Sequence, residues 1–173
     1  NYKMISSVVI GSGVGGSNVY NGEILRGANL HGGEFGYMIL DEDGFGFQTM
    51  STLSSVGGIV RQAQMMGLNV NNGKELFSLA DSNETAQRLI DDFFKYLAIG
   101  LFNIQYSFDP DVILIGGAIS NRPNLIERIG LELDSILNKH ESATLKPVVR
   151  KATFGNDSNI LGAVVNFKLR REK

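Results

Sequence analysis

The spacing of apolar residues changes along the chain, and each change marks an element. Residues 4–10, ending in Val8-Val9-Ile10, read as a buried strand, and residues 17–20 as a second. Asn21-Gly22 then predicts a type I′ hairpin, whose two central residues both need positive φ. The return strand is expected over 23–26 and another short strand over 37–40. Residues 41–47, with two glycines and three acids, read as a loop. Residues 51–66 predict a helix with Leu53, Val56, Val60, Ala63 and Gln64 on one face and Gly67 as its terminator. A polar turn over 69–73 and a short helix over 74–80 follow. Asn83 is the expected cap of a long helix over 84–107, where Ala86, Leu89, Ile90, Phe93, Phe94, Leu97 and Leu101 recur three and four apart. Asp109-Pro110 breaks it. Val112-Ile113-Leu114-Ile115 has the unbroken apolarity of a strand buried on both faces. Pro123 suits the first position of a helix running to about His140. A strand over 147–153 and a helix over 159–170 close the chain, with Leu161, Ala163, Val164 and Phe167 as the inner side.

Strand meander, helices, then β–α–β–α predict an α/β fold in which a mixed sheet carries packed helices. The 173 residues suffice for one domain with a core. The chain starts at Asn1 and enters a strand almost at once, so it is expected to be a piece of a longer protein. A hydrophobic share of 43% and a charged share of 20% suit a globular protein. A net charge of −2 gives no field for nucleic acid or anionic lipid. No apolar run approaches the roughly 20 residues of a membrane span, and no signal peptide is visible. The absence of cysteine excludes disulfides and thiolate metal sites and fits a reducing compartment such as the cytoplasm.

The candidate chemistry lies in the glycines. Gly11-Ser12-Gly13-Val14-Gly15-Gly16 follows the first strand, where backbone freed of side chains can approach a phosphate. A dinucleotide turn should lead into a helix. Here the next residues have strand character, so a hairpin phosphate loop fits better, with a ligand-free glycine hairpin as the alternative. Gly116-Gly117-Ala118 follows the buried strand at its carboxyl end, where a ligand can cross the sheet edge; a plain strand–helix turn is the other reading. Glu34 stands among Gly32, Gly33 and Gly36 and could accept two sugar hydroxyls, or be an ordinary surface carboxylate. His31 beside it reads as structural or exposed. Asp41, Glu42 and Asp43 read as a solvated turn.

In order along the chain, these pieces resemble the ROK family of sugar kinases and sugar-responsive repressors. Residues 11–17 are similar to its second phosphate motif, Gly33-Glu34-Phe35-Gly36-Tyr37 to its G-E-x-G-H, and residues 109–120 to its adenosine-side strand and turn. The resemblance implies the C-terminal lobe of an actin-like, ribonuclease-H-like ATPase, with the N-terminal lobe upstream of residue 1. It implies an ATP- and magnesium-dependent kinase for a hexose-type sugar such as glucose, N-acetylmannosamine or a β-glucoside, and a homodimer. Gly11, Ser12, Gly13, Gly15 and Gly16 would approach the phosphates, and Gly116, Gly117 and Ala118 would line the adenosine side. Glu34 would bind sugar, with Tyr37, His31 and Ser51 as further candidates. The general base would lie in the other lobe, so the fragment alone is expected to be inactive. The family's zinc histidine is replaced by Tyr37 and its three cysteines are missing, so no zinc is expected. The glutamate the family often carries near residues 50–53 is missing too; Ser51 or Thr52 could supply hydroxyls there. A repressor with a DNA-binding segment upstream, or a non-catalytic dimerising remnant, are the alternatives, and the nearly complete phosphate motif over residues 11–16 favours the kinase.

Overall fold

The computed structural model describes residues 2–44, 46–140, 142–154 and 157–171. A five-stranded mixed sheet forms the base. Strand β1 (Met4–Ile10) pairs antiparallel with β2 (Val14–Tyr20), and β2 pairs with β3 (Glu23–Ile24). The Asn21-Gly22 turn has φ of 49° and 84°, as a type I′ hairpin requires. On its other side β1 runs parallel to β6 (Val112–Gly116), which runs parallel to β7 (Val149–Lys151). The order is β3-β2-β1-β6-β7. A separate hairpin consists of β4 (Ile39–Asp43) and β5 (Gly46–Thr49).

Register decides which strand residues enter the core. Ser6, Val8 and Ile10 sit opposite Asn18, Gly16 and Val14 on one side and, for Ser6 and Val8, opposite Ile113 and Ile115 on the other. Val8, Ile10, Ile113 and Ile115 are fully buried and join one cluster with the inner face of α4 (Glu84–Phe108). Phe93, Phe94, Leu97, Leu101 and Ile104 of α4 are all inaccessible to solvent. Asn83 caps α4 as expected, its Oδ1 accepting the Ala86 N–H at 3.0 Å. Asp109 ends it in a left-handed conformation. The polar pair Ser6 and Asn18 lies inside the sheet, where the Ser6 hydroxyl donates to Asn18 Oδ1 at 2.6 Å.

Several boundaries differ from the sequence reading. Strand β2 begins at Val14, so Gly15 and Gly16 belong to the strand. Ladder bonds to β1 outweigh the cost of glycine there. Residues 41–47 contribute to the β4–β5 hairpin instead of a loop (Phe45 lies outside the described residues). The helix expected over 51–66 is two: α1 (Met50–Ser54) and α2 (Val56–Met65). Ser55 between them is extended at φ −108° and ψ 153°, because its hydroxyl accepts the Gly58 N–H at 2.8 Å and so caps α2. After α3 (Gly73–Leu79) and α4, the next helix, α5 (Leu125–Lys139), starts two residues beyond Pro123, with Asn124 left-handed at φ 59°. The final helix α6 (Ser158–Arg171) presents Leu161, Ala163, Val164 and Phe167 to solvent, so these residues are not an inner side within this chain.

Candidate functional site

Both glycine segments leave the same edge of the sheet. Because β1 and β6 are parallel, their carboxyl ends lie together, with Gly116 opposite Val9. Gly117 sits where a Cβ would come 2.3 Å from Ile10 O, and its φ is +85°. Only glycine meets both demands. Ser120 then turns the chain, its N–H donating to Gly117 O at 3.0 Å and its hydroxyl to the same oxygen at 2.8 Å. Ala118 is exposed beside it.

Residues 11–13 make the turn between β1 and β2, closed by Gly11 N–H donating to Gly13 O at 2.9 Å. Its outer side is held by the start of α2. Gly57 N–H donates to Gly11 O at 3.1 Å, and a Cβ on Gly57 would lie 2.4 Å from Ser12 O. The sequence signal for this contact was the Gly57-Gly58 pair, whose role needs the fold to be seen.

Glu34 is placed by its neighbours. Its own backbone (φ −71°, ψ 59°) makes an inverse γ-turn, in which Phe35 N–H donates to Gly33 O at 2.7 Å. Phe35 is buried with its ring edge-on to Phe108, centroids 5.9 Å apart. Gly33 (φ +94°) lies against β2, where a Cβ would come 2.6 Å from Ser17 Cα. The carboxylate is left exposed on a rigid turn.

Residues 11–16 together with Val9, Ser17 and Glu34 line one open groove of about 620 Å³. Built Cβ atoms on Gly11 and Gly15 would meet no protein atom within 4 Å, and one on Gly13 only Ser51 Oγ at 3.5 Å. Their bare faces leave the groove free. The fold therefore brings the glycine run and Glu34 to a single cavity. Val9 and Ser17 are lining residues the sequence did not single out; they occupy alternate positions on the same sheet face as Gly15.

Six candidates stand outside that lining. Tyr37 is 76% exposed. His31 is exposed, with Nδ1 2.7 Å from Asn29 O. Ser51 is engaged with the backbone of Val14, whose N–H donates to its Oγ at 3.0 Å. Gly116, Gly117 and Ala118 lie on the neighbouring strand end. Among the described residues no cluster of three carboxylate, histidine or cysteine side chains could hold a metal ion. No described helix is long and apolar enough to cross a membrane.

The β4–β5 hairpin beyond Glu34 is tied to α4 by the Tyr96 hydroxyl, which donates to the Asp41 carboxylate. That bond first, then burial and the neighbouring acids, pushes the Tyr96 phenol up to about 12. The same bond, with the Glu42 N–H, holds Asp41 below the usual carboxylate range.

The family model "ROK family" matches residues 1–169. The chain is 34% identical over 167 residues to the β-glucoside kinase of Listeria monocytogenes serovar 1/2a, covering 92% of this chain and 55% of that protein. The chain thus spans about half the length of the curated relatives it matches. Among solved structures, a ROK family protein of Streptococcus pneumoniae TIGR4 in complex with sucrose aligns at TM-score 0.90 and 34% identity. It covers 99% of this chain and 60% of that one. The ROK hexokinase of Thermus thermophilus aligns at TM-score 0.82 and 25% identity, covering 99% and 59%.

Proposed function

The chain belongs to the ROK family, and we propose on that premise that the full protein is a kinase. It transfers the γ-phosphoryl group of ATP to a hydroxyl of a hexose-type sugar. The chain has the α/β, actin-like ATPase architecture of ROK sugar kinases, with a mixed sheet carrying packed helices. We read it as the C-terminal lobe. The observation that carries the reading is the groove: open-faced glycines and one fixed carboxylate line the same cavity.

Gly11, Ser12, Gly13, Gly15 and Gly16 would take the phosphates of ATP, and Gly116, Gly117 and Ala118 the adenosine side of the same sheet edge. ATP would supply the transferable phosphoryl group as its magnesium complex, in which the ion would neutralise phosphate charge. Glu34 accepts hydrogen bonds from sugar hydroxyls and so orients the acceptor. Among the described residues Glu34 is the one carboxylate in the groove lining, and it is assigned to binding. The base that takes the proton from the attacking hydroxyl would lie in the N-terminal lobe, as the family resemblance implies. Closure of the two lobes would exclude water from the reaction. The β-glucoside kinase relative favours a β-glucoside as acceptor. ATP as the phosphoryl donor supports a cytoplasmic setting, and membership of the family supports a homodimer.

The test is ADP release by the full-length protein with ATP and magnesium against glucose, N-acetylmannosamine and cellobiose. Turnover should depend on one of these sugars. Two charge-assisted hydrogen bonds to Glu34, at about 1.5–3 kcal/mol each, predict that Glu34→Ala lowers it by roughly a hundredfold or more. A folded protein that binds one of the sugars yet turns over none is a sensor instead.

A further inference from the structure

Ser51 lies between the start of β2, just after the glycine turn, and the Glu34 turn. Its Oγ accepts the Val14 N–H at 3.0 Å and lies 3.5 Å from Val14 O. Val14 is the residue by which the chain passes from the glycine turn into β2. On the other side, a Cβ on Gly36 would come 2.3 Å from the same Oγ. The oxygen fills the space that the Gly36 side chain leaves. Backbone bonds continue the link in both directions. Met50 N–H donates to Met38 O at 2.8 Å, just after the Glu34 turn. Ser55 Oγ donates to Ser51 O at 2.6 Å and lies 3.3 Å from Ser12 O, while Gly57 N–H holds Gly11 O. Residues 50–57 thus form a clasp whose one end grips the turn carrying the carboxylate and whose other end grips the glycine turn.

We infer that Ser51 is a positioning residue. Its hydroxyl, together with the packing of the Glu34 turn on Gly16, sets the separation between the phosphate cradle and the sugar-binding carboxylate, and it does not itself bind sugar. This rests on the kinase reading above. The Ser51 Oγ accepts the Val14 N–H and lies 3.5 Å from Val14 O, and Ser51 is not among the residues lining the groove. In-line transfer needs the acceptor oxygen and the γ-phosphorus within a narrow range, and a misplacement of about 1 Å can cost a hundredfold in rate. Losing the clasp should therefore slow the chemical step more than it weakens the binding of either substrate.

The experiment compares Ser51→Ala and Ser51→Cys with wild type in the full-length protein. Initial rates are taken with ATP–magnesium against cellobiose, glucose and N-acetylmannosamine, well below each variant's melting midpoint. The cysteine variant keeps the shape with a weaker acceptor, and so serves if the alanine variant does not fold. For the sugar the wild type uses, kcat is expected to fall about 10–100-fold in Ser51→Ala and less in Ser51→Cys. Both KM values should stay within about threefold of wild type. A raised sugar KM with unchanged kcat makes Ser51 a sugar ligand and overturns the inference, as does an unchanged kcat in both variants. Either outcome leaves the kinase reading intact. A wild type that phosphorylates none of the sugars overturns that reading and this one with it.

Discussion

A methyl group added at Gly15 would meet no protein atom within 4 Å. One added at Gly16 would lie 2.4 Å from Phe35 Cδ2, 2.6 Å from Ser7 O and 2.8 Å from Gly33 O. Strand alternation explains the contrast. The Cβ position of Gly15 faces the groove, while that of Gly16 points inward and lets the Glu34 turn rest on β2, so that Gly16 borders the groove by its backbone alone. Gly15→Ala should fold with an unchanged or slightly higher melting midpoint, since it also restricts the unfolded chain. Its ATP affinity in the full protein, read by calorimetry, should fall about tenfold or more. Gly16→Ala should lose roughly 1–3 kcal/mol in denaturant unfolding, because two of its three contacts are fixed backbone oxygens. Equal stability losses in both would refute the division of roles. The motif was legible as a whole in the sequence. Which of its glycines face a ligand and which face the protein was not, because that depends on β2 starting at Val14.

At the scale of elements, the α4 pattern with its Asn83 cap and the type I′ turn was read correctly, whereas the break at Ser55 and the β4–β5 hairpin were not. The α4 pattern survives intact because its apolar face is buried along nearly its whole length, from Ala86 to Ile104. Ser55 interrupts the expected helix because local capping by its hydroxyl outweighs continuation, which periodicity cannot register. The β4–β5 hairpin was hidden by its acids, one of which, Asp41, is held by Tyr96 across to α4. That bond has a definite pH signature. The folded protein keeps the Tyr96 phenol protonated up to about 12, whereas its ordinary value is 10.0. Its stabilisation is therefore fully present below pH 10 and is lost as pH rises toward 12. Asp41 acts in the opposite sense. Its lowered pKa gives stabilisation above the ordinary carboxylate value of 3.8 that is lost as pH falls below it. Phenolate absorbance during alkaline titration should show one tyrosine ionising late, and that late step should vanish in Tyr96→Phe. A Tyr96→Phe titration that matches wild type would mean that the bond does not form.

For the whole molecule, the parallel pairing of β1 and β6 matters most, since it brings two glycine turns about a hundred residues apart in sequence to one sheet edge. The same scale exposes what the chain does not cover by itself. On α6, Leu161 is 41%, Val164 47% and Phe167 57% exposed. An apolar stripe of this kind is ordinarily covered. The 173-residue chain expressed alone should self-associate at micromolar concentrations, as read by light scattering. Replacing Val164 and Phe167 together by serine should shift it toward monomer. A monomeric wild-type chain at all concentrations would show that the stripe is tolerated in water.

Local pattern was enough to determine the α/β class, the long capped helix, the type I′ turn, the glycine run and the carboxylate among glycines. Each follows from short-range sterics or from periodicity within one segment. The assignment of Glu34 and residues 11–16 to one groove came from tertiary structure alone. So did the diversion of Ser51 to Val14 and the use of Gly57 to hold Gly11. These depend on which strands pair, in what register and with which helix laid against them, and such long-range choices are made by burial of the shared core rather than by any one stretch of residues.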